Sequence, residues 1–170
     1  VKALEYDRKT VHLAREHDIG DILASGYRNL AAALGESGYP DSAMFYYRRS
    51  LDAAYARYEP VEIASSCQAI GIEYFLSGNS DSAFAYLNKA RNIFEEEDIY
   101  DESYPQLYCY LGKIEASKNN FHKAENYLMK ADSFSRTLGY FTDNLEIKKA
   151  LTDLYASAGS WQKAFLYQKE

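Results

Sequence analysis

The residues able to carry chemistry in this chain are few. Its metal-ligating and nucleophilic stock is three histidines, His12, His17 and His122, and two cysteines, Cys67 and Cys109. A zinc site needs three or four such ligands brought together, usually signalled by short spacings. None of the histidines has a partner at such a spacing, so no metal is expected. A reactive thiol needs an adjacent base. Nothing pairs Cys67 or Cys109 with one, and both read as small core groups. The strongest charge feature is Glu95-Glu96-Glu97-Asp98, with Asp101 and Glu102 just after it. Acids at a helix C-terminus oppose the macrodipole. The run is therefore either a solvated corner or a contact for a cation or a basic partner. No phosphate loop, paired-carboxylate motif or nucleophile motif is present. The chain reads as non-enzymatic and without a cofactor.

Composition bounds the partners. Lys plus Arg is 19 against 25 for Asp plus Glu, a net charge of −6. That argues against nucleic acid or an anionic membrane as the main partner. Seventeen tyrosines could suggest a stacking platform for single-stranded nucleic acid or sugars, but such platforms interleave basic residues, which are missing here. No apolar run approaches the length that a bilayer-spanning helix needs. Three prolines and nine glycines are few breakers among many helix formers, which points to an all-α chain.

The tyrosines instead mark a repeat. Ala3, Ala43, Ala83, Ala124 and Ala164 recur at steps of 40, 40, 41 and 40, and each has Tyr three places later: Tyr6, Tyr46, Tyr86, Tyr127 and Tyr167. Seven after the Ala come Thr10, Ser50, Ala90 and Ala131, all small. Five before it come Gly38, Gly78, Asn119 and Gly159, where a helix would need a left-handed end. Twelve before come Ala31, Gly71, Gly112 and Thr152, all compact. Each unit reads as helix, tight turn, helix. First helices are expected near 21–37, 60–77, 103–118 and 142–158. Second helices are expected near 40–57, 80–97, 121–138 and from 160 onward, with Ser, Asp or Asn capping them. Tyr39, Tyr100, Tyr104 and Tyr140 lie off the repeat slots, so a partner-facing aromatic is expected among them.

The pattern Cys67-(x₂)-Ile70-Gly71-(x₂)-Tyr74-(x₃)-Gly78-(x₄)-Ala83-(x₂)-Tyr86-Leu87-(x₂)-Ala90 resembles the tetratricopeptide repeat (TPR), and Tyr108, Leu111, Gly112, Phe121, Ala124, Tyr127 and Ala131 carry it again. The resemblance implies an all-α right-handed superhelix of helical hairpins over 1–170. Residues 1–17 would be the second helix of a truncated repeat, and 21–57, 60–97, 103–138 and 142–170 the repeats. Two departures stand out. The period is 40 rather than 34, and the proline that ends the second helix is replaced by Tyr55, Glu95 and Arg136, so longer second helices are expected. The chain would be a piece of a longer protein, which leaves room for a flanking membrane anchor and output domain.

The resemblance also implies where a partner would bind. The packing slots are Ala43, Gly71, Ala83, Ala90, Gly112, Ala124, Ala131 and Ala164. The neighbouring stripe of the first helices lines a concave peptide groove in TPR proteins. Here it carries Arg28, Ala32 and Gly35, then Gln68, Ile72 and Phe75, then Cys109, Lys113 and Ala116, then Lys149, Asp153 and Ala156. Arg28, Gln68, Ile72, Phe75, Lys113, Lys149 and Asp153 are the groove candidates. The Lys-then-Asn clamp for a C-terminal carboxylate is missing. Arg28, Lys113 and Lys149 are expected to meet scattered acids of an extended peptide. Long repeats of this kind are similar to those of bacterial regulators. One set is membrane-tethered, with periplasmic repeats, and another is cytoplasmic and binds signalling peptides. A helical-repeat enzyme or nucleic-acid binder is the remaining alternative.

Overall fold

The structure, a computed structural model, describes residues 2–16, 20–101, 103–139 and 141–169. The described residues form nine α-helices and no strand: α1 (Lys2–Glu16), α2 (Gly20–Glu36), α3 (Pro40–Arg57), α4 (Pro60–Leu76), α5 (Ser80–Glu96), α6 (Ser103–Ser117), α7 (Phe121–Leu138), α8 (Phe141–Ser157) and α9 (Trp161–Lys169). They divide into two compact units, Val1–Ile99 and Tyr100–Glu170. In the first unit α1 packs on the hairpin α2/α3, which packs on the hairpin α4/α5. In the second, hairpin α6/α7 packs on α8/α9. First helices also touch one another directly, α2 against α4 and α6 against α8. Among the described residues, no helix is long and apolar enough to cross a membrane.

The four hairpin turns repeat one hydrogen-bond pattern. Gly38, Gly78, Asn119 and Gly159 all have positive φ, between 59° and 83°. The amide after each donates back five residues: Tyr39 to Leu34 O, Asn79 to Tyr74 O, Asn120 to Glu115 O and Ser160 to Tyr155 O, at 2.8–2.9 Å. This is the left-handed helix end that glycine adopts without a steric penalty. The capping expectation is only partly met. Asn79 Oδ1 does accept from the Ser82 amide at 3.1 Å. The α3 cap is Tyr39, with no side-chain hydrogen bond and Pro40 behind it. Asn120 turns its amide to Glu115 Oε2 at 2.8 Å instead of capping α7. The back-bonded turn already fixes the chain's path, so a side-chain cap adds little.

The second helices end the same way one level up, at Tyr58, Asp98 and Gly139, all with positive φ. These ends recur at the repeat period and take the place of the usual proline. Helices α3 and α7 each run 18 residues before reaching them.

Small residues set the hairpin spacing. Ala43, Ala83, Ala90, Ala124 and Ala131 have no exposed surface, and Ala164 is buried. A Cβ on Gly71 would lie 2.7 Å from Leu87 Cγ and 3.2 Å from the Ala83 carbonyl. One on Gly112 would lie 2.6 Å from Leu128 Cγ and 3.3 Å from the Ala124 carbonyl. Both hairpins therefore close to a distance that only glycine permits. Around this seam the repeat tyrosines pair with a first-helix tyrosine in every hairpin: Tyr27 with Tyr46, Tyr74 with Tyr86, Tyr108 with Tyr127 and Tyr155 with Tyr167, at 5.6–6.0 Å between ring centroids. Tyr6, in the same slot on α1, is exposed.

Buried polar groups are few and mostly bonded across helices. Ser50 Oγ lies 2.7 Å from both the Ala24 carbonyl and Ser66 Oγ, joining α3 to α2 and α4. In the second unit Tyr155 OH donates to Glu125 Oε1 at 2.7 Å, and Lys163 Nζ donates to the same oxygen at 3.1 Å. These two bonds, Tyr155 first, hold the Glu125 carboxyl below its usual range.

The packing sets three expected outcomes. Gly71→Ala should destabilise the chain by about 1–3 kcal/mol in urea unfolding, because overpacking outweighs the gain of about 1 kcal/mol in helix propensity. A neutral or stabilising result would contradict the close approach. Tyr58 is exposed and left-handed, so Tyr58→Gly should raise stability by about 0.5–1 kcal/mol in the same assay. Glu125 has a lowered pKa in the folded state. Its contribution is present above the unfolded value of about 4.3 and is lost as pH falls through the folded one. Glu125→Gln should therefore cost about 1 kcal/mol at pH 7 and progressively less below about pH 4. A cost independent of pH would rule out the charged bond.

Candidate binding face on the first helices

The first helices of each unit carry the side chains that the packing does not use. On the α2/α4 pair, Arg28 reaches across and bonds Glu62 Oε2 at 2.5 Å, both side chains about three-quarters covered. On the α6/α8 pair, Lys113 Nζ bonds Glu146 Oε1 at 2.5 Å and sits 4.7 Å from the Tyr110 ring centroid. The two bridges join equivalent elements and do the same job, tying one repeat's first helix to the next. Both cations expected to meet a ligand's acids are thus neutralised within the fold.

The other expected groove residues divide. Ile72 and Phe75 are half-buried on α4, and Lys149 and Asp153 lie one turn apart on α8, Lys149 half-buried and Asp153 exposed. Gln68 is 4% exposed, a correction to its expected place on an open face. Cys109, in the same repeat slot, is also buried. The reason is the direct packing of neighbouring first helices, which covers a slot that a lone hairpin would leave open. The structure therefore gathers Arg28, Ile72 and Phe75 on one unit, and Lys113, Lys149 and Asp153 on the other.

Of the off-slot tyrosines, Tyr39 and Tyr100 are about half exposed, and Tyr140 lies outside the described residues. Tyr104 is buried, edge-on to Phe134 at 4.8 Å, so it is a core residue rather than a partner-facing one. Glu95, Glu96, Glu97 and Asp98 are all exposed at the end of α5. His12 lies 3.3 Å from Glu16, His122 is exposed, and His17 falls outside the described residues. Among the described residues no three His, Cys, Asp or Glu side chains are arranged to hold a metal ion. Burial pushes the Cys67 thiol up to about 11, the opposite of what a thiolate nucleophile requires.

Sequence reasoning missed Tyr47 and Glu73. Tyr47 is on α3, 7% exposed, and its hydroxyl has no hydrogen-bond partner among the described residues. Burial, the Glu73 carboxylate and the Glu36 carboxylate push its phenol up to about 12, against an opposing pull from Arg28. Glu73, on α4, is itself raised by burial. Its Oε1 lies 3.4 Å from where a Cβ on Gly35 would stand, so the bare backbone of α2 forms one wall beside it. The repeat held a usable signal. The slot of Tyr47 holds Leu87 and Leu128 in later repeats, and the slot of Glu73 holds Ile114 and Leu154, all four buried.

The chain's likeness to known proteins agrees with this geometry. A tetratricopeptide-repeat family model matches residues 105–137. No curated protein matches the sequence significantly. Among solved structures, aspartyl phosphate phosphatase F from Bacillus subtilis is 18% identical with a TM-score of 0.74, over 96% of this chain and 52% of that one. A Rap protein complexed with competence and sporulation factor is 13% identical with a TM-score of 0.72, over 98% and 56%. The nearly identical TPR-like repeats of a Podosopora anserina kinesin light chain are 12% identical with a TM-score of 0.67, over 99% and 90%. This chain thus spans about half the length of the first two. At these identities the likeness is one of fold. The chain is an all-α protein of TPR-like helical repeats, with a tetratricopeptide repeat at residues 105–137.

Proposed function

We propose that the chain is a non-enzymatic scaffold that binds a protein or peptide segment along its first-helix face, as the interaction or sensory domain of a bacterial regulatory protein. One observation carries this reading. The packing slots keep their residue class from hairpin to hairpin, while the adjacent stripe changes at each step: Arg28, Gln68, Cys109, Lys149, and one turn on Ala32, Ile72, Lys113, Asp153. A scaffold that keeps its joints constant and varies one face is built to present a specific surface. Affinity would come from many modest contacts along an extended partner.

The likeness to a Rap protein complexed with competence and sporulation factor favours a second, narrower reading, a cytoplasmic regulator that senses a peptide. A helical-repeat enzyme is the weaker alternative. One structural neighbour is named as a phosphatase, but the net charge of −6 and the buried thiols of this chain supply no reactive group of their own. The same charge counts against nucleic acid.

Panning a random peptide library on the chain tests the proposal. Selected peptides should lose about tenfold in affinity, roughly 1.4 kcal/mol, on Ile72→Asp, with circular dichroism unchanged. Retention of binding by Ile72→Asp, with loss on Glu96→Lys, would move the partner to the acidic end of α5 and refute the first-helix face.

A further inference from the structure

We infer that the α2/α4 face of the first unit holds a subsite for a cationic side chain, the guanidinium or ammonium group of an extended peptide, built from the Tyr47 hydroxyl and the Glu73 carboxylate. The inference rests on the first-helix face being the binding face and adds the chemistry it selects.

Two polar groups stand in slots that later repeats fill with buried aliphatic residues, and they stand next to each other. Tyr47 replaces the leucine of Leu87 and Leu128, and Glu73 replaces the aliphatic group of Ile114 and Leu154. Packing alone is satisfied by the apolar choice, as those repeats demonstrate. A nearly buried hydroxyl without a hydrogen-bond partner costs stability unless something completes it. Glu73 is likewise partly desolvated and forms no ion pair among the described residues. The nearest cation of the cluster, Arg28, is committed to Glu62. Glu36, exposed at the end of α2, adds negative potential at the Tyr47 hydroxyl. What the notch lacks is a donor that carries positive charge. A guanidinium could donate to the Glu73 carboxylate and to the phenolic oxygen together, in the bidentate manner that favours arginine. Half-buried Ile72, one residue before Glu73, offers apolar cover for the aliphatic stem.

This reverses the charge expected of a ligand. Arg28 and Lys113 are already paired, so complementarity runs from acids of the protein to a base on the partner.

The test is fluorescence anisotropy at low salt with two labelled heptapeptides, Gly-Arg-Gly-Arg-Gly-Arg-Gly and its glutamate counterpart. The arginine peptide should bind saturably and at least tenfold more tightly than the glutamate peptide. Glu73→Gln should weaken it about tenfold and Tyr47→Phe several-fold, while Glu96→Gln, an equal change of net charge, should change it less than twofold. Equal losses for Glu73→Gln and Glu96→Gln would reduce the effect to bulk charge and overturn the subsite, as would binding of neither peptide. Glutamate-peptide binding that is lost on Ile72→Asp would overturn the cation subsite while leaving the first-helix face intact. Binding of either peptide that is indifferent to both Ile72→Asp and Glu73→Gln would overturn both. Stability provides a readout without a ligand. Glu73→Leu should raise the urea midpoint while abolishing arginine-peptide binding. A fall in the midpoint would assign the carboxylate a structural role and overturn the proposal.

Discussion

The closure of each hairpin at its small residues is the constraint from which the rest follows. Gly71 against Leu87 and Gly112 against Leu128 bring two helices to a separation at which one added methyl group has no room. A glycine inside a helix is a local liability of about 1 kcal/mol. It is tolerated because the facing leucine and the second-helix alanines, Ala83 and Ala124, then pack without gaps. The same seam sets the tyrosine pairs beside it and the left-handed turns that join the helices. Each hairpin exposes apolar surface that it cannot cover alone, so the next hairpin is needed to bury it.

Function enters where that rule is relaxed. The first complete hairpin has Ala31 rather than glycine at the seam, and Tyr47 rather than leucine opposite. A ring is longer than a leucine side chain and carries a hydroxyl at its tip, which lies within electrostatic reach of Glu73, Glu36 and Arg28. The same repeat step carries Gly35, whose missing Cβ leaves space beside Glu73. Substitutions at three slots therefore convert an aliphatic joint into a polar notch without disturbing the hairpin. The ion pairs Arg28–Glu62 and Lys113–Glu146 act differently. They lie on the outside of the joint and tie successive first helices together.

Much of the fold was legible because its determinants are periodic. Alanine and tyrosine at a fixed offset, and Gly or Asn at the left-handed position, need only one dimension to be seen. The caps were less legible, because Tyr39 and Asn120 leave capping to the backbone of the turn. Site residues were least legible. Gln68 lies at the right angle on an isolated helix, but burial depends on how neighbouring first helices approach each other. Arg28 and Lys113 read as free cations in the sequence because their partners, Glu62 and Glu146, lie on the next first helix, remote along the chain. Tyr47 and Glu73 escape notice because each is ordinary by itself. They become informative only when set against the aliphatic residues of the equivalent slots.

A double-mutant cycle on Gly71→Ala and Leu87→Ala addresses the seam most directly, since it asks whether the two side-chain positions compete for one space. Urea unfolding of the four proteins should show that Gly71→Ala costs at least about 1 kcal/mol less once Leu87 is truncated. An equal cost in both backgrounds would mean that glycine is not there to admit the leucine, and the proposed basis of hairpin closure would fail.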